Sequence, residues 1–345
     1  MENMYVGQLT DDLFQGFVVD SEALIEAVSA GDILGAVKVL GDAVSDMLGR
    51  PVEYMKEYFW ALFAIGIGAA LLKQLGLFFK ESQVQKISFW MVYLILAKQM
   101  LTLYYNGELV AKECLEKLID FGHVFIPVFS VVLTMASGSI TGAGYIATLT
   151  LIIYVIEQFL LVIMVPLVEG YMLLCLLGAL WQKDRVEKWM ELTEKGIALG
   201  FKGMFLAITG LGVLQSMLLP YVDQTKAGMA KKVIEMIPGV GRLAGNTMEM
   251  LGGSAVLLKN GVGVIGMLLL LFVAAVPLLK IGLIYLVIKL AAGVYGLLGE
   301  KQMTWCADKL GQAQGYIFKI TGAGVMLFLL WIILAVYTTN QKVMY

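Results

Sequence analysis

The most restrictive feature of this chain is an apolar stretch over residues 145–181, whose only charged residues are Glu157 and Glu169. A helix needs about 20 residues to cross a hydrocarbon core roughly 30 Å thick, so this stretch is too long for one crossing. Composition agrees, because 59% of the residues are hydrophobic and 15% are charged, against roughly 25% charged in soluble domains. The mean hydropathy is +0.82. The sequence therefore predicts an all-α fold, that of a polytopic helical membrane protein.

The charge distribution divides the chain into an acidic head, residues 1–57, and a membrane domain, residues 58–345. The head has eleven acidic and three basic residues, a net charge of −8, and the remainder has a net charge of +6. Apolar residues at helical spacing over 20–47, interrupted at Gly31, predict two short amphipathic helices in the head. Because an acidic segment is repelled by polyanions, no nucleic-acid partner is predicted. We expect an export signal to be missing from this chain or to have been removed from it.

Hydropathy and turn-forming residues predict about seven to nine transmembrane helices. The predicted spans are residues 58–79, 88–105, 118–136, 145–164, 166–181, 197–219, 261–277, 279–298 and 317–338. We expect Pro127 to kink a span, and Pro166 and Pro277 to separate neighbouring spans, because proline removes a backbone donor. Residues 222–260 are predicted to be amphipathic or re-entrant, since they are too polar to span and too apolar for a free loop.

The most basic short loop, residues 182–195, predicts the orientation in the membrane. Short loops rich in lysine and arginine stay in the cytoplasm. With nine spans, this rule places the N-terminus outside the cytoplasm and the C-terminus inside it.

The sequence patterns do not support a catalytic site or a cofactor-binding site. Residues 261–266 match GxGxxG, but the dinucleotide-binding pattern needs a preceding strand in a βαβ unit. A GxxxxGK[ST] phosphate loop is absent from the sequence. The single histidine, His123, is interpreted as a packed or interfacial residue, and the three cysteines make no CxxC pair. We therefore expect no enzyme activity, no cofactor and no metal, with any energy source supplied by a partner.

Charges within predicted spans are the candidates for function, because each costs roughly 2.5–3.5 kcal/mol at mid-helix on insertion scales. Lys98 and Glu157 fall near the middle of their predicted spans. The sequence predicts an intramembrane ion pair between them. A structural pair, a proton or ion path, and the lining of a water-filled pore all remain open.

A second candidate is the segment 222–266, which combines a helix-breaking proline with many glycines. Irregular backbone at membrane depth is tolerated only inside protein or beside water, so a pore-lining or gating element is predicted here. The residues assigned to it are Pro238, Gly239, Gly241, Lys259, Asn260, Gly261 and Gly263.

Three stretches of the sequence resemble one known family. They are Ala111-Lys112-Glu113 through Ile126-Pro127-Val128 to Ala136-Ser137-Gly138-Ser139-Ile140-Thr141; Ala230-Lys231-Lys232 with Ile237-Pro238-Gly239-Val240-Gly241 and Leu257-Leu258-Lys259-Asn260-Gly261-Val262-Gly263; and Pro277-Leu278-Leu279-Lys280 with Tyr285-Leu286-Val287-Ile288-Lys289-Leu290-Ala291-Ala292. Their order and separation, over roughly residues 50–340, are similar to those of the stage III sporulation protein AE family of endospore-forming bacteria.

The resemblance implies a multi-spanning subunit of the complex that connects mother cell and forespore during engulfment. Its location would be the mother-cell-derived outer forespore membrane, where it would act as a channel or export-platform subunit. The implied partners are a ring protein, a separate ATPase and small membrane subunits, and a homo-oligomer is left open. Two alternatives remain: an ion- or proton-coupled secondary transporter, and a membrane subunit of a conjugation-type secretion system.

Overall fold

The structure is a computed structural model that describes residues 33–76, 82–137, 140–180, 186–207, 209–210, 241–299 and 301–340. These residues are helical apart from a short turn at 298–299. The predicted all-α fold is thus confirmed for the described part of the chain. The first 32 residues of the predicted acidic head lie outside it.

Long helices dominate the molecule. In chain order the elements are α1 (Ile33–Gly76), α2 (Ser82–Ser137), α3 (Ile140–Phe159), a π-helical turn (Leu160–Met164), α4 (Val165–Leu180), α5 (186–207), α6 (Gly241–Leu297) and α7 (Lys301–Asn340). Helices α2 and α6 contain 56 and 57 residues. At 1.5 Å per residue each is about 85 Å in contour length, nearly three times the roughly 30 Å hydrocarbon core. These two helices are therefore much longer than a single membrane crossing requires.

Four helical segments within the described residues are long and apolar enough to cross a membrane. They are Met55–Leu72, Thr150–Gly178, Gly261–Leu297 and Lys301–Ile333. This finding supports a membrane protein, and the count of seven to nine spans stays a prediction. The predicted boundary between head and membrane domain lies inside α1, which continues through residues 57 and 58 without a break.

Several predicted breaks between spans are continuous helix in the structure. The predicted spans 88–105 and 118–136, and the charged connection between them, all belong to α2. The two predicted spans on either side of Pro277 are one helix, α6. Pro127 and Pro277 both lie inside helices. A proline removes one donor and clashes locally, but packing on both sides can keep the helix continuous through it.

The expected bend near Pro166 is replaced by the π-helical turn. The backbone N–H of Val165 donates to the carbonyl of Leu160, five residues earlier. Such a turn accommodates one extra residue, and Pro166, which has no N–H, lies two residues after its end. The apolar stretch that constrained the sequence most is therefore one helical run from α3 through α4.

Helices α2 and α7 form the centre of the bundle. Helix α7 packs antiparallel to α6 after the turn at Gly299 and also contacts α2, α3 and α4, while α2 contacts α1, α3, α6 and α7. Gly299 has φ of 76°, a left-handed conformation that suits glycine and ends α6. The largest fully buried side chains include Trp331, Tyr93, Tyr104, Tyr171, Tyr295, Phe121 and Phe129.

Buried tyrosines tie the helices together through backbone carbonyls. Tyr295 of α6 donates to the carbonyl of Leu62 in α1 at 2.9 Å, and Tyr93 of α2 donates to the carbonyl of Leu176 in α4 at 3.1 Å. Such bonds contribute about 0.6 kcal/mol on average in membrane proteins, where lipid removes the hydrophobic drive for helix association. Close packing therefore carries most of the stability. The three cysteines are free and buried.

Candidate functional site

Four polar or charged residues are buried among the described residues: Glu108, Glu157, Gln314 and Thr321. Two of them belong to α7, and the two glutamates belong to α2 and α3, which both pack on α7. Buried polar groups in a helical membrane bundle are expensive and tend to mark function. The two carboxylates are the strongest candidates, and their surroundings differ.

Glu157 on α3 is fully buried and unpaired. Its exposed fraction is 0%, and neither carboxylate oxygen has a hydrogen-bond partner among the described residues. The carboxylate lies against Gly324 of α7, where an added Cβ would be 3.1 and 3.2 Å from its two oxygens. The same Cβ would be 2.5 Å from Cδ2 of Leu115 in α2. Gly324 therefore makes the space that the Glu157 carboxylate occupies between three helices.

A cleft of about 140 Å³ leads to Glu157. We call it the Glu157 cleft, and its lining residues are Ile119, Gly122, His123, Ile126 and Pro127 of α2, Thr150, Ile153, Tyr154 and Glu157 of α3, and Phe328 of α7. A buried water needs only about 10–15 Å³ of such a cavity, so several waters or a small ion fit.

Two aromatic residues with polar groups, His123 and Tyr154, line the Glu157 cleft. His123 and Tyr154 are exposed residues, and their ring centroids are 6.4 Å apart. Pro127 has no backbone N–H, so the carbonyl of His123 lacks its usual helical donor four residues later. His123, which the sequence indicated as a packed or interfacial residue, is exposed in the structure and lines the cleft.

Glu108 on α2 is the other buried glutamate, and unlike Glu157 it has an ion-pair partner. One of its oxygens lies 2.6 Å from the ammonium of Lys112, one turn along the same helix. This hydrogen bond raises the pKa of Lys112 above its ordinary value. Gln314 of α7 is close by, because a Cβ added at Gly107 would collide with its amide group. The second oxygen of Glu108 has no hydrogen-bond partner among the described residues.

A third polar cluster joins α4, α5 and α7, and its polar groups are hydrogen-bonded to one another. Glu194 of α5 accepts hydrogen bonds from Tyr171 at 2.7 Å, from Gln312 at 3.1 Å and from Lys309 at 3.2 Å. The Gln312 amide also donates to the hydroxyl of Tyr316 at 2.8 Å. A satisfied network of this kind fixes the positions of helices. Glu157 has no such network, and structural pairing therefore does not account for its charge.

The structure does not bring Lys98 and Glu157 together, which corrects the predicted intramembrane ion pair. Lys98 is exposed on α2, while Glu157 packs beside Leu115 of the same helix. These two positions on α2 are 17 residues apart, about 25 Å along a helix. The prediction placed both residues at mid-span in separate short helices. Because α2 is one long helix, the two positions lie at different heights in the bundle.

The predicted pore segment lies partly outside the described residues, which do not include Pro238 and Gly239. Gly241 is the first residue of α6, and Lys259, Asn260, Gly261 and Gly263 continue the same helix. The described part of this segment is therefore regular helix rather than the irregular backbone that was expected. Its role in a pore or gate stays a prediction.

The glycines at the end of this segment differ in their surroundings. A Cβ at Gly261 would meet open space, whereas a Cβ at Gly263 would lie 2.6 Å from Cγ2 of Val336 in α7. Gly266, one turn further, faces the Phe125 ring of α2 in the same way. Gly263 and Gly266 therefore allow close approach of helices, a common use of small residues in membranes.

Sequence reasoning missed the burial of Glu108, which was interpreted as part of a charged connection. A signal was available, because the buried residues Tyr104, Ala111, Leu115 and Leu118 recur at helical spacing across that connection.

Comparison with known proteins agrees with the resemblance found in the sequence. The family model described as stage III sporulation protein AE matches residues 19–339. A curated relative, stage III sporulation protein AE of Bacillus subtilis (strain 168), is 24% identical over 311 residues, which cover 85% of this chain and 77% of the relative. No solved structure matches the chain. Because the family model covers most of the sequence, the chain belongs to the stage III sporulation protein AE family.

Proposed function

We propose that this chain is a membrane subunit of the sporulation complex that links mother cell and forespore during engulfment, where it serves as a channel or export-platform component. The observation that carries the proposal is the family match over residues 19–339. The four long apolar helical segments support a role inside a membrane. The buried polar groups of α2, α3 and α7 support a functional role for the interior of the helix bundle in addition to packing.

The proposal includes the partners and the place in the cell. The chain sits in the mother-cell-derived outer forespore membrane with its acidic head outside the cytoplasm and about seven to nine crossings. It assembles with a ring protein, small membrane subunits and a separate ATPase. The ATPase supplies the energy, since the sequence has no GxxxxGK[ST] loop, and this chain performs no catalysis of its own.

Affinity purification of the tagged full chain from sporulating cells tests this proposal. The expected result is a detergent-stable complex, larger than the chain alone, that contains an ATPase and a ring protein. The matched control is the same tagged chain expressed in vegetative cells, which should lack those partners. Purification of the chain alone from sporulating cells, with no partner also found by crosslinking, would contradict the proposal.

A second candidate, an ion- or proton-coupled secondary transporter, is favoured by one observation: the unpaired, fully buried carboxylate of Glu157. Intramembrane carboxylates of this kind occur in proton relays. Uptake of a small solute by vesicles that contain only this chain would favour the transporter over the export subunit.

A further inference from the structure

The Glu157 carboxylate has a geometry that its packing does not explain. It is fully buried, it lacks a hydrogen-bond partner among the described residues, and it lines a cleft large enough for a small ion. An ionised carboxylate without a partner in such surroundings is very costly. The carboxyl group is therefore stable in this position only when a positive charge, such as a proton, neutralises it.

The neighbours of Glu157 do not supply that charge. Helix α3 packs against α2 and α7. On α2 the titratable side chains on this side are Cys114, which is close enough to interact electrostatically with Glu157, and His123 in the cleft, with Lys117 next to Cys114 on the helix. On α3 the titratable neighbour is Tyr154, and α7 contributes Gly324 and Phe328. None of these described groups forms an ion pair or a hydrogen bond with the carboxylate.

The lining of the cleft is mostly apolar, but a few of its residues carry oxygen atoms that suit a hard cation. The residues that line it include Glu157 with its carboxylate, Thr150 with its hydroxyl, and His123, whose carbonyl Pro127 leaves without a helical donor. Oxygen donors of these kinds suit small hard cations. One carboxylate is neutralised by a single positive charge, whereas a divalent ion would leave an excess charge in an apolar cleft.

We propose that the Glu157 cleft binds one monovalent cation, a proton or Na⁺, reversibly. Gly324 leaves room for the carboxylate beside the cleft, because any larger side chain at that position would crowd its oxygens. This function goes beyond the export role, and it belongs to the chain itself rather than to the complex. A failure of the sporulation assignment would therefore leave it standing.

Infrared difference spectroscopy of the purified full chain in lipid vesicles tests the proposal. One arm compares acidic with alkaline pH without Na⁺, and the other compares Na⁺ with choline at one pH. The expected result is a carboxyl band that changes in at least one arm and is lost completely in Glu157→Gln. A change only in the first arm identifies the proton, and a change in the second arm identifies Na⁺.

Glu169→Gln is the matched control, because Glu169 lies on the same helical run but accepts a hydrogen bond from Tyr105 at 3.3 Å. This variant should retain the Glu157 band. Glu157→Asp should retain the response but shift its frequency, which provides a second variant if the glutamine protein does not fold. Spectra of wild type that do not respond in either arm, or responses that are the same in wild type, Glu157→Gln and Glu157→Asp, would overturn the proposal.

Discussion

Replacement of Gly266 by alanine is a sharp test of how α6 packs on α2. An added Cβ would collide with two atoms of the Phe125 ring and lie 3.0 Å from a third. That ring cannot easily move, because it stacks between Phe121 and Phe129 at centroid distances of 5.0 and 5.2 Å. Trp331 of α7 adds an edge contact at 6.3 Å. Extra volume in a packed interior of this kind costs about 1–3 kcal/mol.

Gly261→Ala is the matched control, because its Cβ would meet open space. Alanine is the better helix former by about 0.5–1 kcal/mol, and both variants gain this amount. The gain cancels in the comparison, so Gly266→Ala should be less stable than Gly261→Ala by about 1–3 kcal/mol.

The assay is reversible unfolding of the purified full chain in mixed micelles, with a denaturing detergent as the titrant and circular dichroism as the signal. Gly266→Ala should unfold at a lower fraction of denaturing detergent than wild type or Gly261→Ala. Equal midpoints for the two variants would refute the close contact between Gly266 and Phe125, and with it the packing of α6 on α2.

Three further predictions follow from the polar contacts. A double-mutant cycle that combines Lys98→Gln with Glu157→Gln should show no coupling in the same unfolding assay, because the two residues are far apart. A clear coupling energy would instead support an ion pair between them. The corresponding cycle of Lys309→Met and Glu194→Gln should show a coupling of about 0.5–2 kcal/mol, since these groups share one network; additive effects would argue against that network. Tyr295→Phe should destabilise the chain by about 0.6–1.7 kcal/mol through loss of its bond to the α1 backbone, and an unchanged midpoint would contradict the bond.

Much of the fold could be predicted from the sequence because hydropathy reports on lipid as a solvent. Long apolar segments with few charges indicated helices that can cross a membrane, and four such segments are present in the described residues. The family could also be recognised, since the motifs around Pro238 and Lys259 are specific. These features depend on local sequence and therefore needed no knowledge of tertiary packing.

The helix boundaries could not be predicted, because they depend on packing between distant segments. The charged residues 106–117 suggested a connection, yet Glu108 and Lys112 are one turn apart on α2 and pair with each other. Pro277 suggested a joint, but α6 packs on α1, α2 and α7 and continues through it. In both cases tertiary contacts outweigh the local signal.

The candidate site was found only in part. Glu157 was selected as an expensive charge from its position in a predicted span, and the structure buries it without a hydrogen-bond partner among the described residues. Its neighbours could not be inferred, since Gly324 is 167 residues away in sequence and reaches Glu157 only through the packing of α7 on α3. The error over Lys98 has the same origin, because relative height in a bundle depends on helix length and tilt.

The most direct test of the account is the yield of heat-resistant spores from a deletion strain complemented with the wild-type gene, with Glu157→Gln or with Glu169→Gln. Protein levels of the three forms must be equal in immunoblots of the membrane fraction. The account predicts a strong loss of spores with Glu157→Gln and a near wild-type yield with Glu169→Gln. A wild-type yield with Glu157→Gln would contradict the prediction that the sporulation role proposed for this chain needs the buried carboxylate.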